Sequence, residues 1–291
     1  MAGILYAVAT PLGNLEDLSR RAERVLSEVD LVAAEDTRRA RELLSWMGVT
    51  KPLVSYYEPR EEEAIPGIIA RLLAGENVAL VTDGGTPAVS DPGYRLARAA
   101  LDAGIQVVPV PGPSAFAAAL SAAGLPTDRV TFAGFLPPKE KARRDALAEL
   151  ASRRDTLVFY ESPRRTVEFL TDAAAVLGDR EAVVFRELTK LHEEMLRGRL
   201  TEIAATLNAR PEVKGEVTIL IRGAEEQQEM TEAEARDLLA AALAAGRALK
   251  EAAGDVAKLS GRPRKEVYGW GLEIREDSPQ RHRDTEKKEN S

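Results

Sequence analysis

Alternation in the first 110 residues constrains the fold of this chain more than any other feature. Short apolar runs ("ILYAVA", "VDLVAAE", "PLVSYY", "NVALVTD", "IQVVPV") are separated by segments such as "DLSRRAERVLSE", "RRARELLSWMG", "EEEAIPGIIARLLAGE" and "GYRLARAALDAG". The separators carry apolar residues at helical spacing, whereas the runs are continuously apolar. A strand that is apolar on both faces must be covered on both, which predicts a parallel sheet flanked by helices. Right-handed crossovers then bring every strand's carboxyl end to one edge. At that edge stand Thr10-Pro11, Glu35-Asp36, Tyr57-Glu58, Asp83-Gly84-Gly85 and Pro111-Gly112-Pro113. Open α/β sheets bind their ligands there.

Beyond "PGPSAFAAALSAAG" the texture changes. "VTFAGFLP", "TLVFYESP", "EAVVFREL", "EEMLRGRL" and "GEVTILIRG" are strand candidates, interrupted by helices near 139–153, 164–177 and 201–208. Between Arg186 and Leu200 there is no room for a helix, so the strands on either side are expected to pair antiparallel, within a mixed sheet. From Thr231 the pattern is wholly helical. Thr231 with Glu234 three residues on is a capping-box signal, and a helix ending at Ser260-Gly261 precedes another near Pro263, as in a helix-turn-helix. The expected fold class is therefore two α/β domains followed by a helical module. Its boundaries fall at 1–112, 113–224 and 230–275, with a disordered tail at 276–291 that lacks apolar periodicity.

Composition narrows the function. With no cysteine there is no disulfide framework and no thiolate site, and two histidines cannot build a multi-histidine metal centre. His192, in "TKLHEE", is expected to be structural. No apolar run approaches the roughly 20 residues a membrane helix needs, and the N-terminus reads as a first strand rather than a signal peptide. A cytoplasmic, metal-independent protein is expected. The net charge of −7 argues against nonspecific coating of nucleic acid. Two stretches run the other way: Lys139 to Arg165 holds eight Lys/Arg against five acids, and Gly246 to Arg275 seven against four. Such stretches are either local RNA contacts or solvated helix faces.

The turn "DGGTPAVSDPG" asks which ligand it holds. It lacks the Gly-Lys-Ser/Thr ending of a phosphate loop. It also follows the fourth strand, not the first, and so is not the dinucleotide fingerprint. Gly84 and Gly85 allow close backbone approach, Pro87 and Pro92 stiffen the flanks, and Thr86, Ser90 and Asp91 add short polar groups. That chemistry suits a neutral or zwitterionic ligand held by main-chain bonds. The alternative is a tight turn leading into an Asp-capped helix.

"DGGTPAVSDPG" with "VPVPGPSAFAAALSAAGLP" resembles the S-adenosylmethionine site of the tetrapyrrole methylase superfamily. "YAVATPLGNLEDLSRRA", "AAEDTRRARELL", "GFLPPKEKARRDAL", "FYESPRR", "FRELTKLHEEMLRG" and "SGRPRKEVYGWGLEI" are similar to segments of one subfamily. Its members methylate the ribose of a decoding-centre cytidine in small-subunit (16S) ribosomal RNA. The resemblance implies S-adenosyl-L-methionine as cofactor, bound between two α/β domains by Pro11, Gly84, Gly85, Thr86, Val89, Ser114, Ala115, Tyr160 and Ser162. It implies 16S rRNA in the small ribosomal subunit as partner, a homodimer, and neither metal nor membrane.

A ribose hydroxyl is a poor nucleophile until a base shares its proton. The candidates at the sheet edge are Glu35, Asp36, Asp83 and Glu161, of which Glu35, Asp36 and Glu161 are taken forward, with Glu194 a further possibility. The competing role for Asp36 is to cap the next helix, with Arg38 and Arg39 paired to acids. As RNA contacts we take Arg38, Arg39, Lys139, Lys141, Arg143, Arg144, Arg262, Arg264 and Lys265. Two rival readings use the same site: a methylase of a corrin or porphyrin precursor, and a non-catalytic S-adenosylmethionine sensor whose helices bind nucleic acid.

Overall fold

The computed structural model describes residues 1–225 and 230–276. Of the tail expected over 276–291, all but the first residue lies outside these. The chain forms two compact units, Met1–Ala224 and Glu225–Ser291.

In the first unit the leading apolar runs become β1 (Ile4–Val8), β2 (Leu31–Ala34), β3 (Leu53–Ser55), β4 (Val78–Val81) and β5 (Gln106–Val110). Between them run α1 (Arg20–Glu28), α2 (Thr37–Trp46), α3 (Glu61–Leu73) and α4 (Tyr94–Asp102). Strand order is β3-β2-β4-β1-β5, and every pairing is parallel. Val25, Leu26 and Leu44 cover one face of the sheet, and Ile68, Leu72 and Leu96 cover the other. The crossover after β1 leaves toward β2, while the one after β4 leaves toward β5 on the opposite side. β1 and β4 are neighbours, so their carboxyl ends open a crevice at a topological switch point.

The same unit continues with α5 (Ala115–Ala122), β6 (Val130–Phe135), α6 (Glu140–Leu150), β7 (Thr156–Glu161) and α7 (Thr166–Leu177). Then come β8 (Glu181–Arg186), β9 (Glu194–Arg199), α8 (Leu200–Asn208) and β10 (Val217–Ile221). These strands order β6-β7-β10-β8-β9. β6 and β7 run parallel and the rest antiparallel, including the short-spaced pair β8 and β9. The parallel and mixed sheets expected from the sequence are both present.

The second unit, described by itself, packs α9 (Glu232–Ala244), α10 (Leu249–Ser260) and α11 (Arg264–Glu276) around Leu239, Ala252, Val256, Val267 and Trp270. Thr231 and Glu234 form the expected reciprocal cap of α9. Arg236 and Arg262 stack on Trp270 at 4.9 and 5.3 Å from its ring, a cation–π clamp that fixes both guanidinium groups.

Candidate active site

The crevice between β1 and β4 is closed at its base by a backbone bridge. Thr10 N donates to Gly85 O and Gly85 N to Thr10 O, both at 2.9 Å. Gly85 sits at φ 94°, a conformation other residues adopt only with strain. A Cβ on Gly84 would stand 3.0 Å from the Pro11 carbonyl oxygen, so a side chain there would have to push the loop after β1 away from the loop after β4.

Above this bridge lies a cavity of about 370 Å³, within the size range of small-cofactor sites. The loop after β4 contributes Asp83, Gly84, Gly85, Thr86, Val89 and Asp91; the start of α5 contributes Ser114 and Ala115. From the second sheet come Phe135, the Tyr160–Pro163 turn after β7, and Gly215–Thr218 at the start of β10. Four carboxylates (Asp83, Asp91, Glu161, Glu216) face one guanidinium, Arg39, in this lining. Asp83 and Arg39 lie 3.5 Å apart. Charge of this sign attracts a cation and repels a polyphosphate.

Two links hold the α5 wall. Thr86 Oγ1 donates to Pro113 O at 3.0 Å. Ser114 makes no side-chain cap, and the Phe116 amide of the first turn of α5 instead donates to Tyr160 Oη at 3.0 Å. Burial pushes the Tyr160 phenol pKa up, which keeps it protonated. Tyr160→Phe removes that acceptor. The expected loss is about 1–2 kcal/mol of stability, read by thermal unfolding, together with weaker cofactor binding.

The anticipated residues separate by position. Gly84, Gly85, Thr86, Val89, Ser114, Ala115, Tyr160, Glu161 and Ser162 all line the cavity. Pro11 lies instead in an adjoining cavity that shares Leu12, Arg39 and Asp83 with it. Asp36 caps α2 and binds Arg38 through two oxygens, at 3.1 and 2.7 Å. Those bonds hold its carboxyl down at about 2, too acidic to collect a proton near neutrality. Glu35 Oε2 accepts from Asp83 N at 3.3 Å, and burial raises its pKa. Glu161 Oε1 is committed to Ser162 N (2.6 Å) and Arg165 Nη2 (2.5 Å), while Oε2 is buried without a partner. Glu194 is held by Arg210 at 2.7 and 2.6 Å, which lowers its pKa. His192 is an exposed residue of the β8–β9 turn.

Arg143 departs from the sequence reading. It is 2 % exposed, its Nε donates to Asp172 Oδ2 at 2.7 Å, and its Nη1 donates to Pro138 O at 3.1 Å. The helical turn that follows "GFLPP" points it inward, so a phosphate cannot reach it. Lys139, Lys141 and Arg144 are exposed beside it, with Arg144 also paired to Asp172. In the helical unit Arg262 pairs with Glu266, Arg264 donates to Lys250 O, and Lys265 is exposed.

The sequence reading missed Glu216, Thr218 and Phe135 as lining residues. Beyond a short polar group it gave Asp91 only the alternative role of a helix cap, whereas α4 has Gly93 at its cap position and no side-chain cap. Asp91 sits inside the glycine turn, where burial and the nearby Glu35 carboxylate raise its pKa to about 7. An acid in the middle of a ligand-type loop was a usable signal. Glu216 carried none, because only the antiparallel insertion of β10 brings it to β7.

Residues 4–204 match the family model of the Tetrapyrrole (Corrin/Porphyrin) Methylases. The chain belongs to the tetrapyrrole methylase family. Residues 229–275 match the RsmI C-terminal HTH domain, placing this tetrapyrrole methylase in the RsmI branch. Among curated relatives, the Ribosomal RNA small subunit methyltransferase I of Xylella fastidiosa (strain Temecula1) is 48% identical over 92% of this chain and 98% of its own. The protein of the same name from Escherichia coli O157:H7 is 44% identical over 93% and 95%. Among solved structures, uroporphyrin-III C-methyl transferase from Thermus thermophilus, complexed with S-adenyl homocysteine, shares the fold. Its TM-score is 0.52 at 24% identity, over 75% of this chain and 97% of that one.

Proposed function

We propose that this tetrapyrrole methylase uses S-adenosyl-L-methionine to methylate small-subunit (16S) ribosomal RNA, at the ribose 2′-hydroxyl of a decoding-centre cytidine. One observation carries the cofactor: a cavity at the switch point, walled by a small-residue loop and by carboxylates outnumbering the one guanidinium. The residues fit the group. Backbone of Gly84–Thr86 and Ser114–Ala115 offers main-chain bonds for the amino-acid and ribose parts, and the acids suit a net positive ligand. When bound, the cofactor supplies an electrophilic methyl group on a sulfonium. The walls contributed by both sheets exclude water and hold the donor for in-line attack, so much of the rate comes from orientation.

The RNA assignment draws on the relatives' names and the matched helical domain. Exposed Lys139, Lys141, Arg144 and Arg38 on the first unit and Lys265 on the second are the cations we assign to phosphates. Arg39 lines the cavity itself, so we assign it to the phosphate next to the target nucleotide. Replacing any one of these cations with alanine is expected to make RNA binding less salt-dependent, by about one unit of slope. Action in the cytoplasm and as a homodimer is part of the same proposal. Among the described residues no helix is long and apolar enough to cross a membrane, and no group of three or more acids and histidines is placed to hold a metal. A solution mass twice that of the 31.6 kDa chain checks the dimer.

The test is methyl transfer from labelled S-adenosylmethionine to small subunits that lack the modification, with the product identified by nucleoside. Label is expected in 2′-O-methylcytidine. Cofactor binding without labelled RNA would favour the sensor, and label in a uroporphyrinoid would favour the macrocycle methylase.

A further inference from the structure

The loop from Asp83 to Gly93 is built more rigidly than a turn requires. Ala88 and Ser90 both sit at positive φ, 67° and 61°, although neither is glycine. Strain of this kind persists only where the surroundings over-determine the backbone, and it clusters at functional sites. The surroundings here are specific. Val89 N donates to Thr86 O at 3.3 Å and Ala88 N to Pro92 O at 3.2 Å. Gly93 N donates to Oε1 of Glu61 at 3.2 Å, and Glu61 is itself 5 % exposed. Of the loop's residues that line the cavity, Asp91 is the carboxylate beyond the glycines, held within this frame.

The charges of three carboxylates act on Asp91: Glu35 after β2, Asp83 at the start of its own loop and Glu216 just before β10, while the nearby Thr82 hydroxyl opposes them. Asp91 in turn acts on the Tyr160 phenol of β7. The nearby cations are engaged elsewhere. Arg39 is set on Asp83, Lys190 on Glu187 and Glu216, and Arg165 on Glu161. Among the described residues, Asp91 thus has acids around it and no salt-bridge partner drawing its charge, so a proton is held more tightly there than on Asp36 or Glu194. The cavity also leaves Glu161 Oε2 buried and unpartnered in the same wall, an acceptor in place for a ligand N–H or O–H.

We propose that Asp91 is the catalytic residue that accepts the proton of the nucleophilic hydroxyl during methyl transfer. The inference rests on the methyltransferase reading given above. As the hydroxyl oxygen forms its bond to the methyl carbon, the carbon–sulfur bond breaks and its electron pair passes to sulfur. The O–H proton moves to a carboxylate oxygen of Asp91. The sulfonium becomes a neutral thioether and the carboxylate a neutral acid, so no charge is stranded in the cavity. Asp91 must be ionised beforehand. Its raised pKa of about 7 makes it a stronger base than an ordinary carboxylate, yet still substantially ionised near neutrality. A bound sulfonium favours the ionised form, so the pKa in the loaded enzyme lies at or below that value.

The experiment measures single-turnover methyl transfer to small subunits, with saturating S-adenosylmethionine and RNA, for wild type, Asp91→Asn and Asp91→Glu between pH 5.5 and 9 (roughly two units around the expected transition). The wild-type rate is expected to rise with pH and level off at or below about 7. Asp91→Asn is expected to lose on the order of 10²–10⁴-fold in rate and to lose the limb. Asp91→Glu should recover part of the rate, while S-adenosylhomocysteine, whose sulfur carries no charge, binds both variants within about threefold of wild type. A melting curve checks folding. The folded state holds the Asp91 proton up to about pH 7 and the unfolded chain releases it near 4, so the wild type loses stability as pH rises between these values. The Asn variant, which never pays that penalty, should gain more in melting temperature at pH 8 than at pH 5. Full rate at saturation with weakened cofactor binding would make Asp91 a counter-ion and overturn the proposal. An Asp91→Asn rate within about tenfold of wild type across this range would also overturn it. Wild type that labels no RNA would remove the reading beneath it.

Discussion

Substituting Asp172 with alanine is expected to destabilise the first unit by about 3–5 kcal/mol, although the residue is remote in sequence from every site motif. Its two oxygens receive Arg143 Nε and Arg144 Nε, each at 2.7 Å, tying α6 to α7. The Arg143 side chain is 3% exposed and that of Asp172 5%. Removing the acid leaves a guanidinium in the interior with the Pro138 carbonyl and, at 3.7 Å, the mostly exposed Glu168 carboxylate, and a poorly paired buried charge is among the most costly defects in a fold. For a unit of this size the melting temperature should fall by roughly 10 °C. Arg144→Ala should cost under about 1 kcal/mol, because that side chain is about half exposed and its pairing is screened by solvent. Adding Arg143→Met to Asp172→Ala removes the stranded charge and should recover most of the loss. Thermal unfolding of the four proteins checks all of this. A single Asp172→Ala variant that melts with wild type would sink the account.

Gly85→Ala should leave a folded protein that binds S-adenosylhomocysteine at least about tenfold more weakly, a loss of roughly 1.4 kcal/mol or more. At φ 94° an alanine is strained by about 1–2 kcal/mol. The new Cβ would stand 3.2 Å from Leu12 Cδ2 and 3.9 Å from the Pro113 carbonyl. The backbone cannot rotate away cheaply, since both its amide and its carbonyl are bonded to Thr10. Relaxation therefore moves Leu12 or opens the bridge across the switch point, and Leu12 and Gly85 both line the cavity proposed for the cofactor. Calorimetric titration reads the affinity. Wild-type affinity in this variant would mean that the ligand does not touch the loop.

Several features of the site were legible along the chain because they are local. Continuous apolar strands alternating with amphipathic helices allow one kind of sheet, and that sheet has one ligand edge. The failure of "DGGTPAVSDPG" to meet either phosphate pattern pointed away from nucleotides, in keeping with the acid-lined cavity. Asp36 was legible as a helix cap from its place before "TRRAREL", and the structure shows it in that role. Arg143 was not. "KEKARR" reads as one basic strip, and only the phase of α6 against α7 decides that Arg143 turns in while Lys139, Lys141 and Arg144 stay out.

By itself, then, the sequence determined the two sheets and the glycine loop at the sheet edge, because periodicity and turn chemistry act over a few residues. The family was legible only through the resemblance of its segments to known ones. Tertiary structure decided which charges are free and which acid titrates near neutrality. Those properties depend on burial and on the field of groups far apart in the chain. Asp91 acquires its proton affinity from burial and from Glu35, Asp83 and Glu216, three carboxylates that meet only when β2, β4 and β10 are all in place.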